Sequence, residues 1–427
     1  MKIMVVGSGG REHAIIKKLK QSDGVDQIYA LPGNGGISAD AVCVNISATD
    51  IENIVRFAKE TGIDYAVVAP DDPLVLGCAD ALEAAGVPCF GPHANAAIIE
   101  GSKVFSKNLM KKYNIPTAEY EIFTSAEEAL GYIAGARMPA VIKADGLALG
   151  KGVIIARTQD EARAAINEIM LDKKFGKSGD RIVIEEFLTG PEVSVLSFTD
   201  GKTIIPMVSS MDHKRALDGD LGPNTGGMGT IAPNPYYTEK IAGRCMDEIF
   251  LPTINAMNAE GRTFTGCLYF GLMMTPKGPK VIEYNCRFGD PETQVGLPLL
   301  KSDLLTIMRA TVDGTLADTP VEFTSGAACC VVLASGGYPV SYKSGYPISG
   351  LDEAGKTATV FHAGTKLVDG QIVTAGGRVL GVTATADTLE AAIDKAYQAA
   401  DKITFTDMHM RRDIGQRALA SRKESHS

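Results

Sequence analysis

The stretch KVIEYNCRFGDPETQ (280–294) concentrates the residues best suited to chemistry. In an extended strand alternate side chains share a face, so Glu283, Asn285 and Arg287 point together while Ile282, Tyr284 and Cys286 point away. A carboxylate and an amide oxygen at that spacing are hard donors suited to magnesium with bound phosphates. Arg287 beside them suits two-pronged recognition of a carboxylate or of a phosphoryl group in transfer. A half-exposed strand with a Glu–Arg pair would look similar, but Asn285 and the Gly-Asp-Pro-Glu turn after it are poor strand formers.

The stretch MDHKRALDGDLGPNTGGMGT (211–230) is too polar and too rich in glycine for a core. Asp212, His213, Lys214 and Arg215, followed by Asn224, Thr225 and Gly226, read as a ligand loop on a rigid scaffold. Its density of opposite charges argues against a plain disordered connector.

VIKADGLALGKGVII (141–155) invites a Walker-type phosphate loop, and the spacing refutes it. Such a loop needs glycine where Asp145 stands and Ser or Thr where Gly152 stands. It also joins a strand to a helix, whereas strand-like runs flank this turn on both sides. A glycine-rich turn between two strands can still close over nucleotide phosphates, with Gly150, Lys151 and Gly152 in the turn and Lys143 directed inward. An inward lysine among apolar neighbours needs an anionic partner. In RIVIEEFLTGPEVS (181–194), Glu185, Glu186, Phe187 and Leu188 resemble a hinge whose amides could meet an adenine edge, with Glu192 in reach of a ribose. A strand end with exposed carboxylates reads the same way.

At the N-terminus, IMVVGSGGREHAI (3–15) feeds an apolar run into a glycine turn and a helix. A dinucleotide fingerprint needs a third glycine where Glu12 stands, and a carboxylate at the end of the second strand, where Leu31-Pro32-Gly33-Asn34 stands. The nicotinamide reading fails on both counts. Arg11 and His13 place cations in the first helical turn, where the helix dipole disfavours them unless an anion docks. The alternative is that Glu12 neutralises Arg11 on a solvated face. Three strand ends carry turn chemistry, GSGG (7–10), PGNGG (32–36) and PDDP (70–73), and a phosphorylated sugar in the crevice they form is the expectation.

These stretches need elements to hold them. Runs at 3–7, 27–31, 41–45, 65–70 and 88–92, alternating with helical patterns, predict a parallel doubly wound sheet. One long helix is expected over 95–114, and another over 297–314. A small α+β unit, a set of longer strands interrupted by the polar loop at 212–235, and a last α+β unit follow. The expected division is 1–122, 123–192, 193–328 and 329–427.

The 427 residues, 45% hydrophobic and 22% charged, fit a multidomain globular chain. A net charge of −9 without any block of five Lys/Arg argues against a nucleic-acid groove. No apolar stretch approaches the ~20 residues that span a bilayer. The strand-like start leaves no room for a signal peptide, so a cytoplasmic protein acting on small molecules is expected. The eight cysteines form no CxxC pair and read as buried free thiols rather than a zinc site.

Taken together, GSGGREHA, PGNGG, IIEGSK, IKADGLALGKG, IEEFLTGPE, DHKR, GPNTGGMG, EYNCRFGDPETQ and AGGRVLGVTA, in that order, resemble the glycinamide ribonucleotide synthetase (phosphoribosylamine–glycine ligase) family of ATP-grasp ligases. The resemblance covers nearly the whole chain, and NTGGMG with NCRFGDPE is its most specific part. It implies a multidomain α/β and α+β architecture: an N-terminal doubly wound parallel sheet, an ATP-grasp pair (a small lid and a central unit) and a C-terminal α+β domain. It implies ATP, glycine and 5-phosphoribosylamine as substrates and Mg²⁺ (or Mn²⁺) as metal, in a monomer. Lys103 and Lys143 are implied to hold ATP phosphates under the turn of Gly150, Lys151 and Gly152. Glu185, Phe187 and Leu188 are implied to line adenine, and Glu192 to meet the ribose. Glu283 and Asn285 are implied metal ligands. Asp212, Lys214 and Arg287 are implied to face glycine and the acyl phosphate, their individual roles left open. Gly9, Gly10, Arg11, Gly33, Asn34, Asp72, Asn224, Thr225, Gly226 and Asp290 are implied substrate contacts. The chain departs from the family at Ala69-Pro70-Asp71-Asp72, usually Gly-Pro-Glu and a small residue, which bears on the acidic contact in the sugar crevice. It departs again in GTIAPNP (229–235), where the family usually has an aromatic residue, Ser and Pro.

Overall fold

The computed structural model describes residues 1–147 and 152–424. Its first sheet is five-stranded and parallel, with Val42–Cys43, Gln27–Pro32, Lys2–Gly7, Tyr65–Val68 and Cys89–Phe90 side by side in that order. The apolar runs of Lys2–Gly7 and Tyr65–Val68 are buried on both faces, as a parallel sheet covered by helices requires. The GSGG and PGNGG turns leave the carboxyl ends of adjacent central strands, with Gly7 paired to Pro32.

Two predicted features differ. PDDP is not an open turn: Asp71 begins a short helix, Asp71–Val75. The single helix expected over 95–114 breaks at Ser102, which is extended between helices Ala94–Gly101 and Lys103–Lys112. Ser102 caps the second helix through its hydroxyl, which accepts from the Phe105 amide at 3.1 Å. Likewise the segment 297–314 is two helices, Thr293–Leu299 and Leu304–Asp313, the second capped by Asp303.

The second sheet is antiparallel, in the order Tyr120–Phe123, Ile182–Glu186, Ala140–Ala144 and Val153–Ala156. A third antiparallel sheet aligns Ile204–Pro206, Glu192–Thr199, Gly266–Thr275 and Gly278–Asn285. It shares a continuous apolar cluster with the first sheet, including Val6 and Leu31 on one side and Phe250, Phe270 and Tyr284 on the other. The strand bearing Glu283 is thereby set firmly against the N-terminal sheet.

The last sheet is built on Ala327–Ser335 and Arg378–Ala386, flanked by Thr359–His362. Two short strands of the polar loop extend this sheet: Gly229–Ala232 pairs onto Ala327–Ser335, and Met211–Asp212 pairs onto Gly229–Ala232 at the edge. The loop between them forms its own hairpin of Arg215–Leu217 and Leu221–Asn224. Seven cysteines are buried as expected, but Cys43 is exposed, because its strand lies at the sheet edge. Among the described residues no helix is long and apolar enough to cross a membrane.

Candidate active site

The strand Gly278–Asn285 carries the centre of the site. A bulge at Ile282, between the Gly271–Glu283 and Leu272–Val281 pairs, precedes the chemistry-bearing residues, so their alternation survives. Tyr284 and Cys286 are buried, while Glu283, Asn285 and Arg287 are half-buried on the opposite side. Arg287 donates to Asn285 Oδ1 at 3.2 Å and to Glu100 Oε1 at 2.9 Å.

Three segments bring cations to this strand. Lys214, from the polar loop, lies 3.3 Å from both Glu283 Oε1 and Glu192 Oε2. The attraction of Glu192 and Glu283 raises the Lys214 pKa. The Lys214 charge, opposed by burial and reinforced by Lys143 and Lys103, holds Glu283 down to about 2. Lys143, 4% exposed, points inward from its strand as expected and donates to the Ile282 carbonyl at 3.0 Å. Lys103 opens its helix and donates to the Gly146 carbonyl at 3.0 Å; burial, and then the Lys143 charge, lower its pKa. Two lysines that repel each other beside one carboxylate form a site poised for an anion.

The expected nucleotide residues divide. Glu185 is buried rather than exposed, its Oε1 lying 3.0 Å from Lys143 and 3.2 Å from Lys107. Burial pushes Lys107 down to about 8 despite that partner. Phe187 and Leu188 are half-buried just past the strand end. Gly152 closes the strand pair, its carbonyl accepting from the Ala144 amide at 2.8 Å. Gly150 and Lys151 lie outside the described residues.

The polar loop wraps around Lys214. Thr225 returns both its amide and its hydroxyl to the Lys214 carbonyl, at 2.7 and 2.8 Å. Asn224 ends the hairpin strand opposite Arg215. Asp212 is half-buried, with Oδ1 accepting from the His213 amide at 2.7 Å. Burial, and then the nearby Glu292 carboxylate, raise its pKa. Glu292 is itself raised by burial and accepts from Tyr269 Oη at 3.1 Å.

The N-terminal crevice corrects the expected chemistry. Two amides at the helix start are already taken by carboxylates: Gly9 donates to Glu12 Oε2 at 2.5 Å, and Arg11 donates to Asp290 Oδ2 at 3.2 Å. Glu12, 1% exposed, pairs with Arg11 Nε at 2.6 Å within the protein and not on a solvated face. His13 is also buried, with Nε2 3.0 Å from Asp40 and Nδ1 accepting from the His362 amide. Gly10 and Gly33 permit close approach: a Cβ would come within 2.5 Å of Gln294 Nε2 at the first and of Cys43 Sγ at the second. Asn34 spends its whole side chain on the fold, donating to the Ser8 and His362 carbonyls and accepting from the Gly36 and Ile37 amides. It is Asp71, rather than Asp72, that feels the arginines. Against the cost of burial, Arg287 and Arg11 lower the Asp71 pKa, whereas burial and Asp71 raise that of Asp72.

Several residues of the site escaped the sequence reading. Glu100 anchors Arg287, and Arg378 of the last sheet donates to the carbonyls of Gly226 and Asp290 at 2.8 and 2.7 Å. Lys107, Asp145 and Glu292 complete the set. A capping-box spacing, Gly9 to Glu12, was the available signal for the occupied helix start.

Family models match three successive parts of the chain: Phosphoribosylglycinamide synthetase, N domain, over residues 1–100; the ATP-grasp (A) domain over 101–293; and the C domain over 328–417. The phosphoribosylamine–glycine ligase of Halalkalibacterium halodurans is 49% identical over 425 residues, covering 100% of this chain and 99% of that protein. The Vibrio cholerae enzyme of the same name is 49% identical over 426 residues, covering 98% and 99%. The crystal structure of phosphoribosylamine–glycine ligase from Thermotoga maritima superposes with a TM-score of 0.86 at 34% identity, over 97% of this chain and 100% of that one. A biotin carboxylase from Campylobacter jejuni shares the fold, with a TM-score of 0.74 at 14% identity over 96% and 92% of the chains.

Proposed function

The chain belongs to the phosphoribosylglycinamide synthetase family, and we propose that it ligates glycine to 5-phosphoribosylamine with ATP, giving glycinamide ribonucleotide, ADP and phosphate in purine synthesis. The observation that carries this reading is the convergence of Lys103, Lys143, Lys214 and Arg287 on the Glu283–Asn285 strand.

A carboxylate is a poor electrophile, so glycine must first be activated. A glycine carboxylate oxygen bonds to the γ-phosphorus as the bond to the ADP oxygen breaks. The amine of phosphoribosylamine then attacks the acyl carbon, phosphate leaves and the amine proton passes to solvent or a carboxylate. The first step brings two anions together, so catalysis rests on positioning and on cations that offset their repulsion. Lys103 and Lys143 serve the ATP phosphates, with Gly150, Lys151 and Gly152 over them. Phe187 and Leu188 face adenine beside Glu185, and Glu192 faces the ribose.

Glu283 and Asn285 fit a divalent cation: they are hard oxygen donors on one strand face, and Glu283 stays ionised down to about pH 2. Mg²⁺ or Mn²⁺ held there would neutralise phosphate oxygens. Arg287 and Lys214 face the glycine carboxylate and its phosphate, and Asp212 with Glu292 suits the glycine ammonium group.

Phosphoribosylamine is assigned to the crevice of Gly9, Gly10, Arg11, Gly33, Asn34, Asp71 and Asp72, closed by Asn224–Gly226 and Asp290. With the Gly9 and Arg11 amides engaged, and Arg11 Nε and Nη1 held by Glu12 and the Phe288 carbonyl, Arg11 Nη2 is a donor for its 5-phosphate. The units 1–122, 123–192, 193–328 and 329–427 divide this labour, in a cytoplasmic monomer.

The deciding assay follows ADP release with freshly prepared 5-phosphoribosylamine. Release should require both glycine and the amine. Turnover with another carboxylic acid but none with glycine would replace this reading with a different ATP-grasp ligase.

A further inference from the structure

Asp145 sits at the end of the strand that carries Lys143, and every polar atom it has is engaged. Its amide donates to the Ser178 carbonyl at 2.9 Å, and its carbonyl accepts from the Lys103 amide at 3.0 Å. Oδ1 accepts from the Ser102 hydroxyl and the Val104 amide, both at 2.8 Å, and Oδ2 accepts from Arg181 Nη2 at 2.5 Å. The residue is 7% exposed.

These bonds account for the helix break at Ser102. The start of a helix leaves amides without partners, and a carboxylate there also meets the positive end of the helix dipole. Here the Lys103 and Val104 amides go to Asp145 and the Phe105 amide goes to the Ser102 hydroxyl. Lys103 therefore begins its helix bonded to the residue two places after Lys143.

We propose that Asp145 is a positioning residue for ATP: it fixes the spacing of Lys103 and Lys143, so that two mutually repelling ammonium groups wait at one phosphate site. This rests on the assignment of those lysines to ATP phosphates.

The test is calorimetric binding of a non-hydrolysable ATP analogue with Mg²⁺ to the full chain, which needs neither glycine nor phosphoribosylamine. Asp145→Asn should weaken binding about tenfold, and Ser102→Ala roughly threefold, by loosening the same helix start. If Asp145 acts through Lys103, then Lys103→Ala with Asp145→Asn should bind no more than about twofold more weakly than Lys103→Ala alone. Binding by Asp145→Asn within about twofold of the unaltered chain, or a double variant that loses the product of the two single effects, would overturn the proposal. Should Asp145→Asn fail to fold, Ser102→Ala is put through the same cycle with the same criteria. An unaltered chain that does not bind the analogue would overturn the ATP assignment itself, and this proposal with it.

Discussion

Arg287 and Glu100 form a largely buried ion pair, Nη2 to Oε1 at 2.9 Å, that ties the strand of the metal-ligand candidates to a helix next to the first sheet. The second oxygen of Glu100 accepts from the Cys286 amide at 2.7 Å, so one carboxylate fixes both the backbone and the guanidinium. Glu100→Ala strands a cation in the interior, and breaking such a pair costs about 3–5 kcal/mol. Glu100→Gln keeps an acceptor and should cost less. Urea unfolding should rank native above Gln above Ala, and kcat should fall in the same order.

Asn34 links the two glycine turns of the crevice to His362 of the last sheet. Asn34→Ala leaves two amides and two carbonyls without their partner, and each unsatisfied buried group costs about 1–3 kcal/mol. Steady-state kinetics should show KM for phosphoribosylamine rising while KM for ATP stays put. Equal rises in both would mean that the whole fold has loosened.

Gly36 lies against the His362 ring, and a Cβ there would overlap it. Gly36→Ala therefore forces apart the N-terminal and last sheets, at about 1–3 kcal/mol for overpacking. Gly10→Ala instead meets the end of the Gln294 side chain, an unbranched chain rather than a ring. Thermal unfolding should show a drop in Tm that is clearly larger for Gly36→Ala.

Glu283 supplies a pH signature. Lys214 holds its folded pKa down to about 2, below the roughly 4.3 of an unfolded glutamate. A carboxylate depressed by folding stabilises fully above its unfolded value and loses that contribution as pH falls toward its folded value. The stability gap between the native chain and Glu283→Gln should be constant above about pH 5 and narrow on acidification. Urea midpoints measured on both proteins across that range would show it; a gap that widens in acid contradicts the pairing with Lys214.

Local patterning made much of this readable. The five strands of the first sheet follow from apolar runs between helical segments, and the shared face of Glu283, Asn285 and Arg287 follows from strand alternation, since the bulge at Ile282 falls just before them. What stayed hidden depends on partners distant in the chain. Glu100 reads as an ordinary helical glutamate until Arg287, 187 residues on, is seen beside it. The break at Ser102 is invisible in a helical pattern because Asp145, 43 residues away, enforces it. The helix start at Gly9 suggested an anion site, and the anions proved to be the chain's own Glu12 and Asp290.

In the proposed reaction the glycine carboxylate is phosphorylated before it meets the amine. Glycine labelled with oxygen-18 in its carboxylate, incubated with ATP, metal and phosphoribosylamine, tests it by mass analysis of the phosphate released. Phosphate carrying one labelled oxygen for each glycinamide ribonucleotide formed is the predicted result. Unlabelled phosphate, with both labelled oxygens absent from it at full turnover, would contradict the account.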